Sequence, residues 1–169
     1  MTAPADPATD FDQRRLRDAF GCFATGVAVV TTRIAGQEAA GFTLNGFTSV
    51  SLDPPLLLIS VARAARSLAA LEKAGFFAVN VLHLDQQHVA ERFTTRDVDR
   101  FERTQFEEWS TGAPILKGCM ASFECETHQT IDAGDHRLFL GLVRKLNFDP
   151  AYEPLLYLRG AYRRVHTMR

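Results

Sequence analysis

The chain has 169 residues, 46% hydrophobic and 23% charged, with a formal net charge of −1. That suits one domain with a real core, and domains of this size bury roughly 70% of the surface their unfolded chain exposes. The balanced charge gives no field to attract nucleic acid or an anionic membrane, and no apolar run approaches the ~20 residues that span a bilayer.

Residues 1–13 are rich in small, Pro and Asp residues and predict a flexible N-terminal tail. They contain no basic segment followed by an apolar one, so a secretory signal is not expected. A helix is expected to open near Thr9–Asp12, with Leu16, Ala19, Phe20 and Phe23 at helical spacing. "TGVAVVTTRI" (25–34) is β-branched and predicts a buried strand. After the turn "AGQEAA", "GFTLNGFTSVSL" (41–52) predicts a second strand, bulged at Gly46 and ended by Pro54 and Pro55. Thr43, Asn45, Ser49 and Ser51 alternate on one face of it, polar but uncharged, interrupted only by Phe47.

"LLLISVA" (56–62) predicts a third strand, "SLAALEKAG" (67–75) a short helix closed by Gly75, and "FFAVNVL" (76–82) another strand. "DQQHVAERF" (85–93) predicts a helix capped by Asp85. Residues 94–118 are charged and irregular, with Asp97 and Asp99 expected in solvent. "MASFECETHQTI" and "RLFLGLVRKLNF" predict two long strands joined through "DAGDH", and "PLLYLRGAYRRV" a last strand before a tail at 166–169. About seven strands and three short helices in one domain, 14–165, predict a mainly β fold, an antiparallel barrel with peripheral helices. Neither the Gly-x-Gly-x-x-Gly of a dinucleotide-binding βαβ unit nor a Walker phosphate loop occurs.

Self-sufficient catalytic chemistry is sparse. No Gly-x-Ser-x-Gly elbow occurs, and Cys22 lies on a helix between Gly21 and Phe23, where packing is expected. Three cysteines, Cys22, Cys119 and Cys125, predict reduced thiols and a cytoplasmic location. Cys119, Cys125 and His128 lack the spacing of a structural zinc site, and no metal is expected. Such a chain either binds without catalysis or hosts a cofactor that carries the hard step. Four places invite a ligand: the Thr/Asn/Ser face; "SVARAARSL", where Arg63, Arg66 and Ser67 join a strand to a helix; His136 after the turn in "AGDHRLFLG"; and "TGV" at 25–27. The first three have plain alternatives: a solvated or cross-strand-paired face, a helix cap with solvated arginines, a structural or surface histidine; the fourth carries little alone.

Taken in order, "FATGVAVVTT", "GFTLNGFTSVSLDPPLLLISV", "SLAALEKAGFFAVNVL", "ERFTTRDVDRF", "GAPILKGCMASFECE", "AGDHRLFLGLV" and "PLLYLRGAYRRV" resemble the flavin reductase family with an FMN-binding split barrel. The resemblance implies a homodimeric, six-stranded antiparallel barrel of Greek-key type. It implies FMN or FAD near the dimer interface, NADH or NADPH as reductant, and delivery of diffusing reduced flavin to a separate monooxygenase. Matched residue by residue, Thr43, Leu44, Asn45, Gly46, Ser49, Val50 and Ser51 would follow the flavin ring and ribityl chain. Ser60, Arg63, Arg66 and Ser67 would lie toward the phosphate, and His136 would help place the nicotinamide. Two other readings use the same barrel: a non-enzymatic FMN carrier or sensor, and an enzyme like pyridoxamine-phosphate oxidase.

Overall fold

The computed structural model describes residues 10–166. Thr9, most of the expected N-terminal tail and the last three residues lie outside them. Helix α1, Gln13–Phe20, starts one residue after Asp12, whose carboxylate accepts from the Arg15 N–H at 2.7 Å and caps the helix. Strand β1 (Thr25–Gly26) is followed by β2 (Ala28–Arg33), β3 (Ala39–Leu44), β4 (Phe47–Leu52) and β5 (Pro55–Ala62). Next come α2 (Leu68–Ala74), β6 (Phe76–Val81), a 3₁₀ turn at Leu84–Gln86 and α3 (Gln87–Thr94). Short strands β7 (Phe106–Glu108) and β8 (Pro114–Leu116) lie in the segment expected to be irregular. The long hairpin β9 (Ala121–Ala133) and β10 (His136–Phe148), then β11 (Leu156–Leu158) and β12 (Ala161–Arg163), complete the chain.

The stretch expected to be one strand is two. β3 pairs with β2, β4 pairs with β5, and the two lie at opposite edges of a seven-stranded antiparallel sheet ordered β3-β2-β6-β9-β10-β5-β4. Counting β3 and β4 as one broken strand recovers the six expected. Asn45 and Gly46 alone join the two edges, so the sheet must curl on itself. No β3–β4 ladder closes it. At the seam the Ser60 N–H donates to the Gly46 carbonyl at 2.9 Å.

Two apolar layers follow from the alternation along the strands. Val30, Ile59, Phe77, Val79, Cys125 and Phe139 fill the inside of the curled sheet, with Phe42, Leu44 and Phe47 against them. Val27, just before β2, and Val29 on its other face pack with Ala90 and Phe93 of α3 and with Leu155. β2 is therefore buried on both faces: Ala28, Val29 and Val30 are apolar, and the buried Thr31 and Thr32 hydroxyls donate to the Pro114 and Phe76 carbonyls. Helix α3 is not capped by Asp85: the cap belongs to the 3₁₀ turn before it, where His83 Nδ1 accepts from the Asp85 N–H at 3.3 Å. No helix among the described residues is long and apolar enough to cross a membrane.

Candidate functional site

The break between β3 and β4 opens onto a cavity of about 770 Å³. Phe42–Gly46 form one side of it. Ser60–Ala62 of β5 and the following turn, through Arg66 and Ser67, form a second. Phe93 and Thr94 at the end of α3, with Arg96, Asp97 and Arg100 beyond it, form the third. Local sequence makes each wall. A Cβ on Gly46 would lie 3.2 Å from the Ser60 Cβ and 3.3 Å from its carbonyl oxygen, so glycine lets the connection cross close over β5. A Cβ on Gly41 would meet the Phe93 ring at 2.7 Å, so glycine there seats the end of α3 on β3.

The third wall carries charge. Arg66 Nη1 lies 3.2 Å from Asp97 Oδ1, an exposed pair at the cavity mouth. Arg100 donates to the Thr95 carbonyl from Nε at 3.2 Å and Nη2 at 3.0 Å, and from Nη1 to the Gly41 carbonyl. Burial, and then the neighbouring Arg66 charge, push Arg100 below the ordinary arginine pKa. Three guanidinium groups, Arg66, Arg96 and Arg100, thus face a single carboxylate, an arrangement suited to an anion. Ser67 precedes α2, but its side chain makes no capping hydrogen bond and its hydroxyl is left for another partner. The opposite side, residues 43–46, has amide, hydroxyl and backbone groups and no charge.

His136 lines the same cavity. Its Nδ1 lies 2.7 Å from Asp135 Oδ1. A carboxylate only accepts, so Nδ1 carries the proton and Nε2 is the ring's other, unengaged nitrogen. The hydrogen bond to His136, then the attraction of the ring when it is protonated, lower the Asp135 pKa. Arg63 holds this turn beside β5: its backbone N–H donates to the Asp135 carbonyl at 2.9 Å, its Nε to the Gly134 carbonyl at 3.1 Å, and Nη2 lies 3.0 Å from Asp132.

The fold thus gathers Thr43, Leu44, Asn45, Gly46, Ser60, Arg66, Ser67 and His136 around one cavity. It does not bring Ser49, Val50, Ser51 or Arg63 there. Past Gly46 the chain becomes the sheet's outer edge, where a bulge between Ser49 and Ser51 leaves Val50 47% exposed. Arg63 is taken up by the β9–β10 turn. Thr43 lines the cavity, yet its hydroxyl donates to the Ala90 carbonyl at 2.7 Å, fixing β3 to α3. Sequence reasoning missed Thr94, Arg96 and Arg100; the available signal was the pair of arginines in "TTRDVDR" directly after an amphipathic helix. Asp97 is exposed as expected, at the cavity mouth. Asp99, exposed as expected, caps a turn, accepting from the Phe101 and Glu102 N–H groups at 2.8 and 3.2 Å.

The thiols lie apart from this chemistry. Burial pushes the Cys119 and Cys125 thiols up to about 12, with the Glu124 charge adding at Cys125. All three cysteines are free, and no cluster of three metal-ligating side chains occurs among the described residues.

Residues 20–166 match the flavin reductase like domain. The chain belongs to the flavin reductase family. It is 40% identical over 155 residues to a flavin-dependent monooxygenase reductase subunit of Rhodococcus jostii, covering 92% of this chain and 79% of the relative. A Rhizobium meliloti protein named "Probable flavin reductase" is 45% identical over 152 residues, which span 90% of this chain but only 49% of the relative. The structure superposes on a Streptomyces globisporus NADH:FAD oxidoreductase, solved with NAD and FAD fragments, with a TM-score of 0.87 at 40% identity, covering 96% of this chain and 98% of the other. An antiparallel sheet with its two edges linked but not laddered agrees with the split barrel that the family implies.

Proposed function

We propose that this family member is an NAD(P)H:flavin oxidoreductase that reduces FMN or FAD for a separate monooxygenase. The observation that carries the reading is the two-ended cavity, uncharged along 43–46 and cationic at Arg66, Arg96 and Arg100, with the Ser67 hydroxyl beside them. That donor set fits a ligand with an uncharged polar ring at one end and a phosphate at the other. When bound, a flavin supplies the redox chemistry by accepting a hydride from a reduced nicotinamide.

The protein's part is binding and orientation. Arg66 and Ser67 hold the phosphate through charge-assisted and hydroxyl hydrogen bonds. The Asn45 amide and the backbone of 44–46 meet the polar edge of the ring, and Leu44 and Phe42 offer apolar contact. His136, its tautomer set by Asp135, presents Nε2 to accept from the nicotinamide carboxamide. Hydride transfer between two bound ring systems calls for no protein acid or base, which agrees with a cavity whose titratable side chains are mostly arginines.

The same reading takes the chain as a homodimer in the cytoplasm, handing reduced flavin to its oxygenase by diffusion. Relatives named as reductase components of two-component monooxygenases support a separate oxygenase. Three free thiols accord with a reducing compartment. Stopped-flow mixing of the purified protein with each flavin and each reduced nicotinamide tests the reading. Bleaching of flavin absorbance at a rate set by protein concentration is expected; no bleaching with any pair would leave a carrier instead.

A further inference from the structure

The cationic end of the cavity contains a carboxylate that a phosphate site does not need. Asp97 is 84% exposed at its side chain and reaches Arg66 through one contact of 3.2 Å. Its backbone is left-handed, with φ 59°, so the loop is bent to present it there. The nearby cations are otherwise occupied or unpaired: Arg100 is tied to the Thr95 and Gly41 carbonyls, and Arg96 has no ion pair among the described residues. Arg66 is thus the guanidinium at this end of the cavity that a side-chain carboxylate holds.

We propose that Asp97 is an affinity-setting counter-ion that occupies Arg66 when phosphate is absent and repels the flavin phosphate when it arrives, so that flavin leaves the site readily. The inference rests on the flavin reading above and names a residue that controls how long flavin stays. Two effects oppose each other. Asp97 orients Arg66, which favours binding, but a single exposed pair of this kind is weak and screened. It also repels the phosphate, and that repulsion acts on a dianion, while Arg66 must give up its partner to turn toward the ligand. Repulsion and exchange therefore outweigh orientation. The phosphate is the same in oxidised and reduced flavin, so the weakening is equal for both and leaves the redox balance untouched. This suits a protein whose product must reach another enzyme.

Asp97→Asn is the informative variant. Asn tolerates a left-handed backbone as Asp does, so charge changes while the loop does not. Equilibrium titration of wild type and D97N with FMN and with riboflavin, at low and high salt, reads the effect. FMN should bind D97N about 3- to 10-fold tighter at low salt. The gain should shrink at high salt, riboflavin should change less than about twofold, and FMN should dissociate more slowly. Unchanged or weaker FMN binding, or an equal gain for riboflavin, overturns the proposal. Arg66→Ala separates the layers. If it weakens FMN selectively while D97N changes nothing, the counter-ion role fails and the phosphate site stands. If it weakens FMN and riboflavin equally, the phosphate assignment fails, and the counter-ion role with it.

Discussion

His136 and Asp135 form the one residue pair at the cavity in which an imidazole proton is assigned by its neighbour. With Nδ1 committed to Asp135 at 2.7 Å, the ring's orientation and its free nitrogen are both fixed. Removing the ring should therefore affect the ligand that Nε2 meets and spare the phosphate end, which the arginines line. His136→Ala is expected to raise the nicotinamide KM by about tenfold, the loss of one well-placed hydrogen bond, with flavin affinity changed by less than about twofold. Asp135→Asn should act in the same direction with a smaller effect, because its amide can still accept from Nδ1. Steady-state kinetics with the flavin held saturating reads the first effect and flavin titration reads the second. An unchanged nicotinamide KM in His136→Ala would remove His136 from the site.

Among elements, β9 and β10 are tied to the rest by contacts that the sequence hides. Gly141 faces the core at a bulge, and a Cβ there would lie 2.6 Å from Phe77 Cζ and 2.9 Å from Cys125 Cβ. Both neighbours are fully buried and cannot move aside, so Gly141→Ala should lose about 1–3 kcal/mol in urea denaturation. Glu124 on β9 is also fully buried, and accepts from the Ser110 hydroxyl at 2.7 Å and from the Thr111 N–H and hydroxyl at 2.8 Å each. Burial raises its pKa, but those hydrogen bonds together outweigh burial and hold it below the ordinary 4.5. A depressed carboxylate contributes stability that is present above the unfolded value and is lost as pH falls below about 4.5 toward the folded one. Glu124→Gln should be less stable at neutral pH by about 1–3 kcal/mol and should lose less than wild type on acidification through that range, followed by thermal melts against pH. Strand periods and turn residues made most elements readable, including the hairpin, α2 with its Gly75 stop and the doubly buried β2. They could not show that 41–52 changes sheet partner midway: Phe47 breaks the alternation after Gly46, but a break in pattern does not say that the two halves pair with different strands. Nor could they show that Arg63 and Arg66, three residues apart, take opposite roles, one clamping the β9–β10 turn and the other lining the cavity.

At the scale of the whole molecule, β4 is the outer strand of a curled sheet that lacks a closing ladder, so its free side carries unpaired backbone groups and exposed apolar side chains. Leu52 is 97% exposed there and Val50 47%, while Leu146 and Phe148 stand out from the far end of β10 at 52% and 64%. A side chain as exposed as Leu52 contributes nothing to the folded monomer. Its cost is removed if a second copy covers it, so the proposed homodimer is expected to use this edge. The same association would account for Ser49 and Ser51, uncharged residues on a strand that does not line the cavity at the β3–β4 break. Leu52→Glu separates folding from assembly, since a charge at a fully exposed position leaves the monomer intact. In sedimentation velocity the wild type is expected to run as a dimer at micromolar concentration and L52E to shift toward monomer, with unchanged circular dichroism. The interface of a stable dimer buries about 1,200 Å² or more in total, so one charge placed within its apolar part should raise the dimer Kd by about tenfold. A wild type that sediments as a monomer, or an L52E that dimerises as tightly as wild type, would take the interface away from this edge.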